Sequence, residues 1–256
     1  MKPYRLLLPR FVAVLFLLLS GAVGLAQTPA NAPLRVGVTV SFAPMVYKEG
    51  GKVVGAEVDF ATALGQELGR PVKLVEVAWV DQIQSLVDGK IDIIMSSMSV
   101  TPARALRVSF TESYLTVGQV ALVRREDANK YIMGFPIMPN GTIGVLKATT
   151  GDFLAQQEFG RCKRKDFKVP QDAAKALVKK KIDLFISDSP VVSWQASMNE
   201  AQGLVVVPIF LTEERLAWAV RKSDAALLAS VNQALGKLQA DGRAAAIIKH
   251  WLPYYK

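Results

Sequence analysis

Residues Asp81-Gln-Ile-Gln-Ser-Leu-Val-Asp-Gly-Lys-Ile-Asp-Ile-Ile-Met-Ser-Ser97 and Asp172-Ala-Ala-Lys-Ala-Leu-Val-Lys-Lys-Lys-Ile-Asp-Leu-Phe-Ile-Ser-Asp188 align without a gap at an offset of 91 positions. Each copy spaces apolar residues at helical intervals, passes through a Lys-containing turn, and ends in an apolar run that stops at polar residues. A short amphipathic helix followed by a strand is half of an α/β unit. Two copies predict two similar α/β lobes.

The flanking sequence completes each unit. Before the first copy, Leu34–Val40 alternates and is β-branched, which predicts a strand. Apolar residues at helical spacing then predict a helix over Glu57–Leu68, ended by Gly69, and Val72–Val77 reads as a second strand. Before the second copy, Thr142–Leu146 reads as a strand and Gly151–Phe159 as a helix. Strand–helix alternation of this kind implies parallel sheets. Ser189-Pro190 opens a further helix, with Ser as N-cap and Pro at the first helical position.

Two amphipathic tail helices, Asp224–Leu238 and Arg243–Trp251, have no counterpart in the second set. The simplest topology therefore makes the second lobe an insertion. Lobe 1 is expected over 34–117 and 218–256, and lobe 2 over 118–217. The hinge is expected around Thr116–Leu122 and Arg215–Val220.

At 256 residues and 51% apolar content, the chain can bury two cores of this size. Its start reads differently. Lys2, Arg5 and Arg10 precede the apolar run Phe11–Leu19, and small residues lead to Gly24-Leu25-Ala26. That pattern describes a secretory signal peptide over 1–26, cut after Ala26. A bilayer span needs about 20 apolar residues, and polar Gln27 arrives too soon. Cleavage lowers the formal charge from +9 to +6. The remaining excess lies partly in Arg161–Lys165 and Lys179–Lys181, read as solvated basic surface rather than a nucleic-acid site.

A single cysteine, Cys162, excludes an internal disulfide, although its basic neighbours would lower an exposed thiol's pKa. With His250 the single histidine, sites built from His and Cys and Ser-His-Asp nucleophile arrangements are not expected. Neither metal nor cofactor is expected.

Ligands of open parallel sheets bind beyond the carboxyl ends of the strands. There the first copy runs into Ser96-Ser97-Met98-Ser99-Val100-Thr101-Pro102-Ala103-Arg104. Thr101 can cap a helical turn begun by Pro102. Free amides, serine hydroxyls and the Arg104 guanidinium together suggest an anion site, and Arg104 can hold a carboxylate through two parallel bonds. Where the first copy has Ser97, the second has Asp188, which suits a cation such as an ammonium group. Lys147-Ala148-Thr149-Thr150 also follows a strand and opens a helix. Opposite charges on opposite lobes match a zwitterion.

The segments Val54-Gly55-Ala56-Glu57-Val58-Asp59-Phe60-Ala61, Trp79, Gly89-Lys90-Ile91-Asp92 and Met98–Tyr114 strongly resemble the polar amino-acid-binding proteins of bacterial ABC importers, solute-binding protein family 3. The resemblance runs from Leu34 to the C-terminus. It implies a type II periplasmic-binding-protein-like α/β fold and a monomer in the periplasm, which closes over an amino acid and delivers it to an ABC permease. By that likeness Arg104 grips the α-carboxylate, Asp188 takes the α-amino group, and Ser97, Ser99 and Thr150 donate or accept hydrogen bonds, with Thr149 beside them. Phe42 and Trp79 become walls around the ligand side chain.

Three features depart from the family pattern: Ala148 where glycine is usual, Ala56 where Phe is usual, and a longer Tyr131–Asn140 segment. Two other classes share the scaffold. Periplasmic cyclohexadienyl (prephenate/arogenate) dehydratases need a placed acid or base, for which Glu57, Asp59 and Glu112 are candidates. A sensory solute-binding module would need a separate partner. The binding-protein reading, without catalysis, is the leading expectation.

Overall fold

The computed structural model describes residues 32–132 and 141–255. The expected signal peptide and most of Tyr131–Asn140 lie outside the described residues. In chain order the first elements are β1 (Leu34–Val38), β2 (Ser41–Phe42), β3 (Val46–Glu49), β4 (Lys52–Val54), α1 (Ala56–Leu68), β5 (Val72–Glu76), α2 (Gln82–Val87) and β6 (Ile93–Ile94). There follow α3 (Pro102–Ala105), β7 (Val108–Phe110), β8 (Leu115–Val117), β9 (Gln119–Arg124), α4 (Asn129–Ile132), β10 (Thr142–Leu146), α5 (Thr150–Glu158) and β11 (Lys163–Phe167). The chain ends with α6 (Pro170–Val178), β12 (Leu184–Asp188), α7 (Ser189–Met198), β13 (Leu204–Val207), β14 (Glu214–Leu216), β15 (Ala219–Arg221), α8 (Ala225–Ala240) and α9 (Arg243–Trp251).

Local sequence explains most of these boundaries. Phe60, Ala61 and Leu64 are fully buried along one face of α1, and Gly69 closes that helix in the left-handed conformation, φ 62°. The Thr101 side chain accepts from the Arg104 amide and Pro102 opens α3, as the sequence suggests. The tail helices α8 and α9 pack against α1 and against each other.

The two sheets share one plan. The first has the order β5-β1-β6-β15-β7 and the second β11-β10-β12-β9-β13. In each, three strands run parallel and the next two are antiparallel to their neighbours. The strands of the expected βαβ units run parallel in each sheet, and the two added strands make the sheets mixed. The antiparallel strand of each sheet is supplied across the crossover: β9 follows the strands of the first sheet but joins the second, and β15 follows the second but joins the first.

Between the sheets, β8 and β14 pair as a two-stranded ribbon, Leu115 opposite Leu216 and Val117 opposite Glu214. The crossing lies at the leading edge of the expected hinge segments. Their later residues, Leu122 and Val220, are fully buried inside β9 and β15 and belong to the sheets.

The repeated words of the sequence do the same work in both sheets. A Cβ on Gly37 of β1 would lie 2.3 Å from Ile91 Cδ1, and one on Gly144 of β10 would lie 2.6 Å from Ile182 Cδ1. Asp92 accepts the Arg35 amide at 3.0 Å, and Asp183 accepts the Thr142 amide at 2.7 Å. Arg221 of β15 donates to the Ile91 carbonyl at 2.7 Å, and Arg124 of β9 donates to the Ile182 carbonyl, also at 2.7 Å. Each glycine is therefore required by the isoleucine packed against it, not by backbone conformation.

Several local expectations change. Helix α7 begins at Ser189, so Asp188 occupies the N-cap position, and its carboxylate makes no capping bond. Cys162 is partly buried, and burial pushes its thiol pKa up, contrary to what its basic neighbours alone suggest. The lysines and arginines of Arg161–Lys165 are exposed and fall largely on the edge strand β11, where charge discourages strand addition.

Gly144→Ala should destabilise the protein by about 1–3 kcal/mol, because Ile182 Cδ1 must give way. Ile182→Val removes that methyl and should recover part of the loss in the double variant. Strictly additive midpoints in denaturant would rule out the contact as the cause.

Candidate functional site

Beyond the end of β6, residue by residue, the chain is shaped by a buried carboxylate. Glu57, in the first turn of α1, is fully buried. It accepts from the Ser97 amide, from the Tyr114 hydroxyl at 2.7 Å and from Trp218 Nε1 at 3.0 Å. Burial pushes its pKa up while these donors pull it back. The bond to Ser97 supports a backbone that a serine adopts at a cost, φ 54°. Ser96 meanwhile accepts from the Thr39 amide at 2.9 Å and so ties the strand end to β1.

Arg104 is nine-tenths buried, at 9% exposure. Its guanidinium donates to the Ser99 carbonyl at 2.8 Å and to the Ala148 carbonyl at 3.5 Å, with Cζ 5.1 Å from the Trp79 ring centroid. Trp79 Nε1 donates to the same Ala148 carbonyl at 3.1 Å. Two side chains held by the first sheet's loops thus meet the backbone that follows β10. Of the amides in the single-turn helix α3, that of Arg104 is engaged by the Thr101 side chain. Positive charge here comes from the guanidinium.

After β10, Ala148 sits at φ 61°, and its amide donates to Asp152 at 2.9 Å. A β-carbon is accommodated in the left-handed turn where the family pattern has glycine. Thr149 accepts the Asp152 amide at 3.3 Å and donates to the Leu146 carbonyl at 2.7 Å, so its hydroxyl is engaged in capping α5. Thr150 faces the second sheet's polar pair: Gln119 Nε2 donates to Thr150 Oγ1 at 3.1 Å and to Asp188 Oδ1 at 2.6 Å.

Asp188 stands opposite Gln119 across the β12–β9 ladder. Burial, aided by the negative charge of Glu214, raises its pKa to about 7, against the pull of the Gln119 bond and of Arg104. Burial also draws the Arg104 pKa down, while Asp188 and Glu214 raise it.

One small cavity, about 20 Å³, is lined by Phe42, Trp79, Ser97, Ser99, Arg104, Thr149, Thr150 and Asp188. All eight positions singled out in the sequence therefore meet. Ser187 and Val191 join them, and neither was expected. Phe42 and Trp79 are in edge-to-face contact, with centroids 5.5 Å apart.

Gln119 and Glu214 were also missed. A polar residue heading the apolar run Val120–Val123 is a signal for the first, but its partners come from distant chain. Glu57 was noted as an acid, and its enclosure was not visible. Among the described residues no cluster of His, Cys, Asp and Glu could hold a metal ion, and no helix is long and apolar enough to cross a membrane.

Known proteins show the same architecture. The chain is 29% identical over 243 residues to the L-arginine-binding protein of Pseudomonas aeruginosa, covering 91% of this chain and 92% of the relative. It is 29% identical over 225 residues to a probable histidine-binding protein of Neisseria gonorrhoeae, covering 85% and 83%. Among solved structures, a binding component of an ABC transporter from Wolinella succinogenes, complexed with lysine, superposes with a TM-score of 0.81 at 30% identity over 86% of this chain and 95% of that one. An ancestral amino acid-binding protein, a precursor of cyclohexadienyl dehydratase, gives 0.79 at 33% identity with the same coverage.

The fold is thus the two-lobed, type II periplasmic-binding-protein arrangement. With residues 34–254 matching the family over nearly the whole described chain, the protein belongs to the bacterial extracellular solute-binding proteins, family 3.

Proposed function

We propose that this chain is the periplasmic substrate-binding protein of an ABC importer and holds an amino acid between its lobes. One observation carries the reading: Arg104, which is buried, and Asp188, which is half-buried, line one cavity, come from different sheets, and direct their hydrogen bonds to uncharged groups. Buried charges without a direct counter-charge are costly, and an α-carboxylate and α-ammonium would supply both partners at once. In this reading Ser97, Ser99 and Thr150 complete the hydrogen bonds, Thr149 shapes the loop, and Phe42 and Trp79 flank the ligand side chain.

The relatives named for arginine, histidine and lysine support the amino-acid class. We assign lobe 1 to 34–117 with 218–256 and lobe 2 to 118–217. Residues 1–26 act as the signal peptide, and the partner of the closed monomer is an inner-membrane permease. Because the ligand touches both lobes only when they meet, it stabilises the closed form, which the permease reads.

Catalysis is not part of this proposal. Glu57 is saturated by structural donors, and Asp59 accepts from Trp251 Nε1 at 2.7 Å. A single feature favours a second reading, acid-assisted dehydration of the prephenate or arogenate type: Asp188, titrating near 7, could hold a proton in the cleft. Incubation with either acid should give no aromatic product. Turnover that is lost in Asp188→Asn would move the protein into the enzyme class.

A thermal-shift screen of the mature protein should show stabilisation of about 2.7 kcal/mol by an amino acid at 100 times its dissociation constant. Arg104→Ala and Asp188→Ala should each abolish that shift while unfolding cooperatively. Binding retained by either variant would contradict the zwitterion assignment.

Binding should also depend on pH. With Asp188 titrating at about 7 in the free protein, an ammonium group displaces its proton. Affinity is then full above about pH 8 and falls by up to about tenfold per unit below about pH 7. Calorimetry in buffers of different ionisation enthalpy should register proton release, and a flat profile would exclude Asp188 as the ammonium partner.

The stability effect has the opposite sense. A carboxyl whose folded pKa is raised favours the fold at low pH, and that contribution is lost as pH rises through about 7. Without ligand, Asp188→Asn should therefore unfold at a higher temperature than the parent above pH 7.

A further inference from the structure

The cavity that joins Arg104 and Asp188 is about 20 Å³, little more than a water needs. It has room for the poles of a zwitterion only as the lobes adjust around them, and a side chain must lie elsewhere. Phe42 and Trp79 form a shared wall between this cavity and a much larger chamber of about 460 Å³. The charged residues lining that chamber are Lys147 and Lys168, and no carboxylate lines it. Its floor offers Thr39, whose hydroxyl is already bonded to the Val77 carbonyl at 2.9 Å and to Gln82 Nε2 at 2.9 Å. Arg104 borders a second neighbouring space, of about 250 Å³, where the charged residues are Arg104 and Arg107. In both of these adjoining spaces the charged lining residues are cationic.

Resting on the amino-acid reading above, we propose that the ligand is an α-amino acid with an acidic side chain, glutamate or a longer dicarboxylic homologue, and that Lys147 and Lys168 select it. The α-carboxylate and α-ammonium engage Arg104 and Asp188. The methylene groups pass the Phe42–Trp79 wall, and the distal carboxylate takes charge-assisted hydrogen bonds from the two ammonium groups. Both lysines are exposed, and their four-carbon stems can swing over the chamber mouth. A cationic side chain in the same place would face two like charges with no lining carboxylate to offset them. The selection acts between groups near solvent, so it weakens with added salt.

Calorimetric titration of the mature protein with L-glutamate, L-2-aminoadipate, L-glutamine and L-arginine tests this directly, with Lys147→Gln/Lys168→Gln alongside. An acidic ligand should bind at least about tenfold more tightly than glutamine, the worth of one charge-assisted bond. The double variant should lose that preference. Arginine or glutamine binding as tightly as the acids would overturn the inference and leave the amino-acid reading standing. A preference for the acids that survives the double substitution would overturn the roles of Lys147 and Lys168. No binding of any amino acid would overturn both this inference and the reading on which it rests.

Discussion

The carboxylate of Glu57 joins parts of the molecule that must otherwise be positioned separately. Its donors are Ser97 at the cleft, Tyr114 just before β8, and Trp218 just after β14. One buried group therefore binds the site loop to both strands of the crossing ribbon. The rings of Tyr114 and Trp218 stack 5.2 Å apart, and Phe60 packs against both, so the carboxylate sits in an aromatic enclosure that excludes water. Burying a carboxylate is tolerable only when donors satisfy it. That requirement orders the ribbon and the Ser97 turn together.

Around this anchor the two sheets are variations on one construction. Glycine in the first strand admits an isoleucine, an aspartate satisfies a strand amide, and an arginine from the antiparallel strand closes over the carbonyl of that isoleucine. The copies diverge where they meet the cleft. Ser97 is turned into a left-handed conformation, whereas Asp188 ends a regular strand and is fixed by Gln119. Equivalent scaffolds thus present unlike chemistry to a shared cavity, and the burial that raises Asp188 to about 7 makes its charge responsive to what enters.

Much of the site was legible because its residues sit beside local signals. Thr101-Pro102 marks a turn, and Arg104 follows by three positions; Asp188 ends an apolar run; Thr149 and Thr150 open a helix. Ser97 and Ser99 follow an apolar run as hydroxyls beside Arg104, whereas Phe42 and Trp79 were carried by family likeness alone; all four fall on the same cavity. The roles were less legible than the positions. Thr149 spends its hydroxyl on capping, and Asp188 occupies an N-cap without capping and instead accepts from the Gln119 amide. Gln119 and Glu214 act through residues from other segments, which periodicity does not reveal.

The sequence by itself determined the α/β units, their duplication, the tail helices, and opposite charges at equivalent strand ends, since periodicity, caps and turns act within a few residues. Tertiary structure decided which strand completes each sheet and what surrounds each charge. Arg124 and Arg221 do equivalent work, yet one precedes the isoleucine whose carbonyl it bonds by 58 residues and the other follows its own by 130. Glu57 reaches Trp218 across 161 residues. Contacts at such separations follow from how the chain crosses between sheets. Burial, which sets the protonation of Asp188, follows from packing around it.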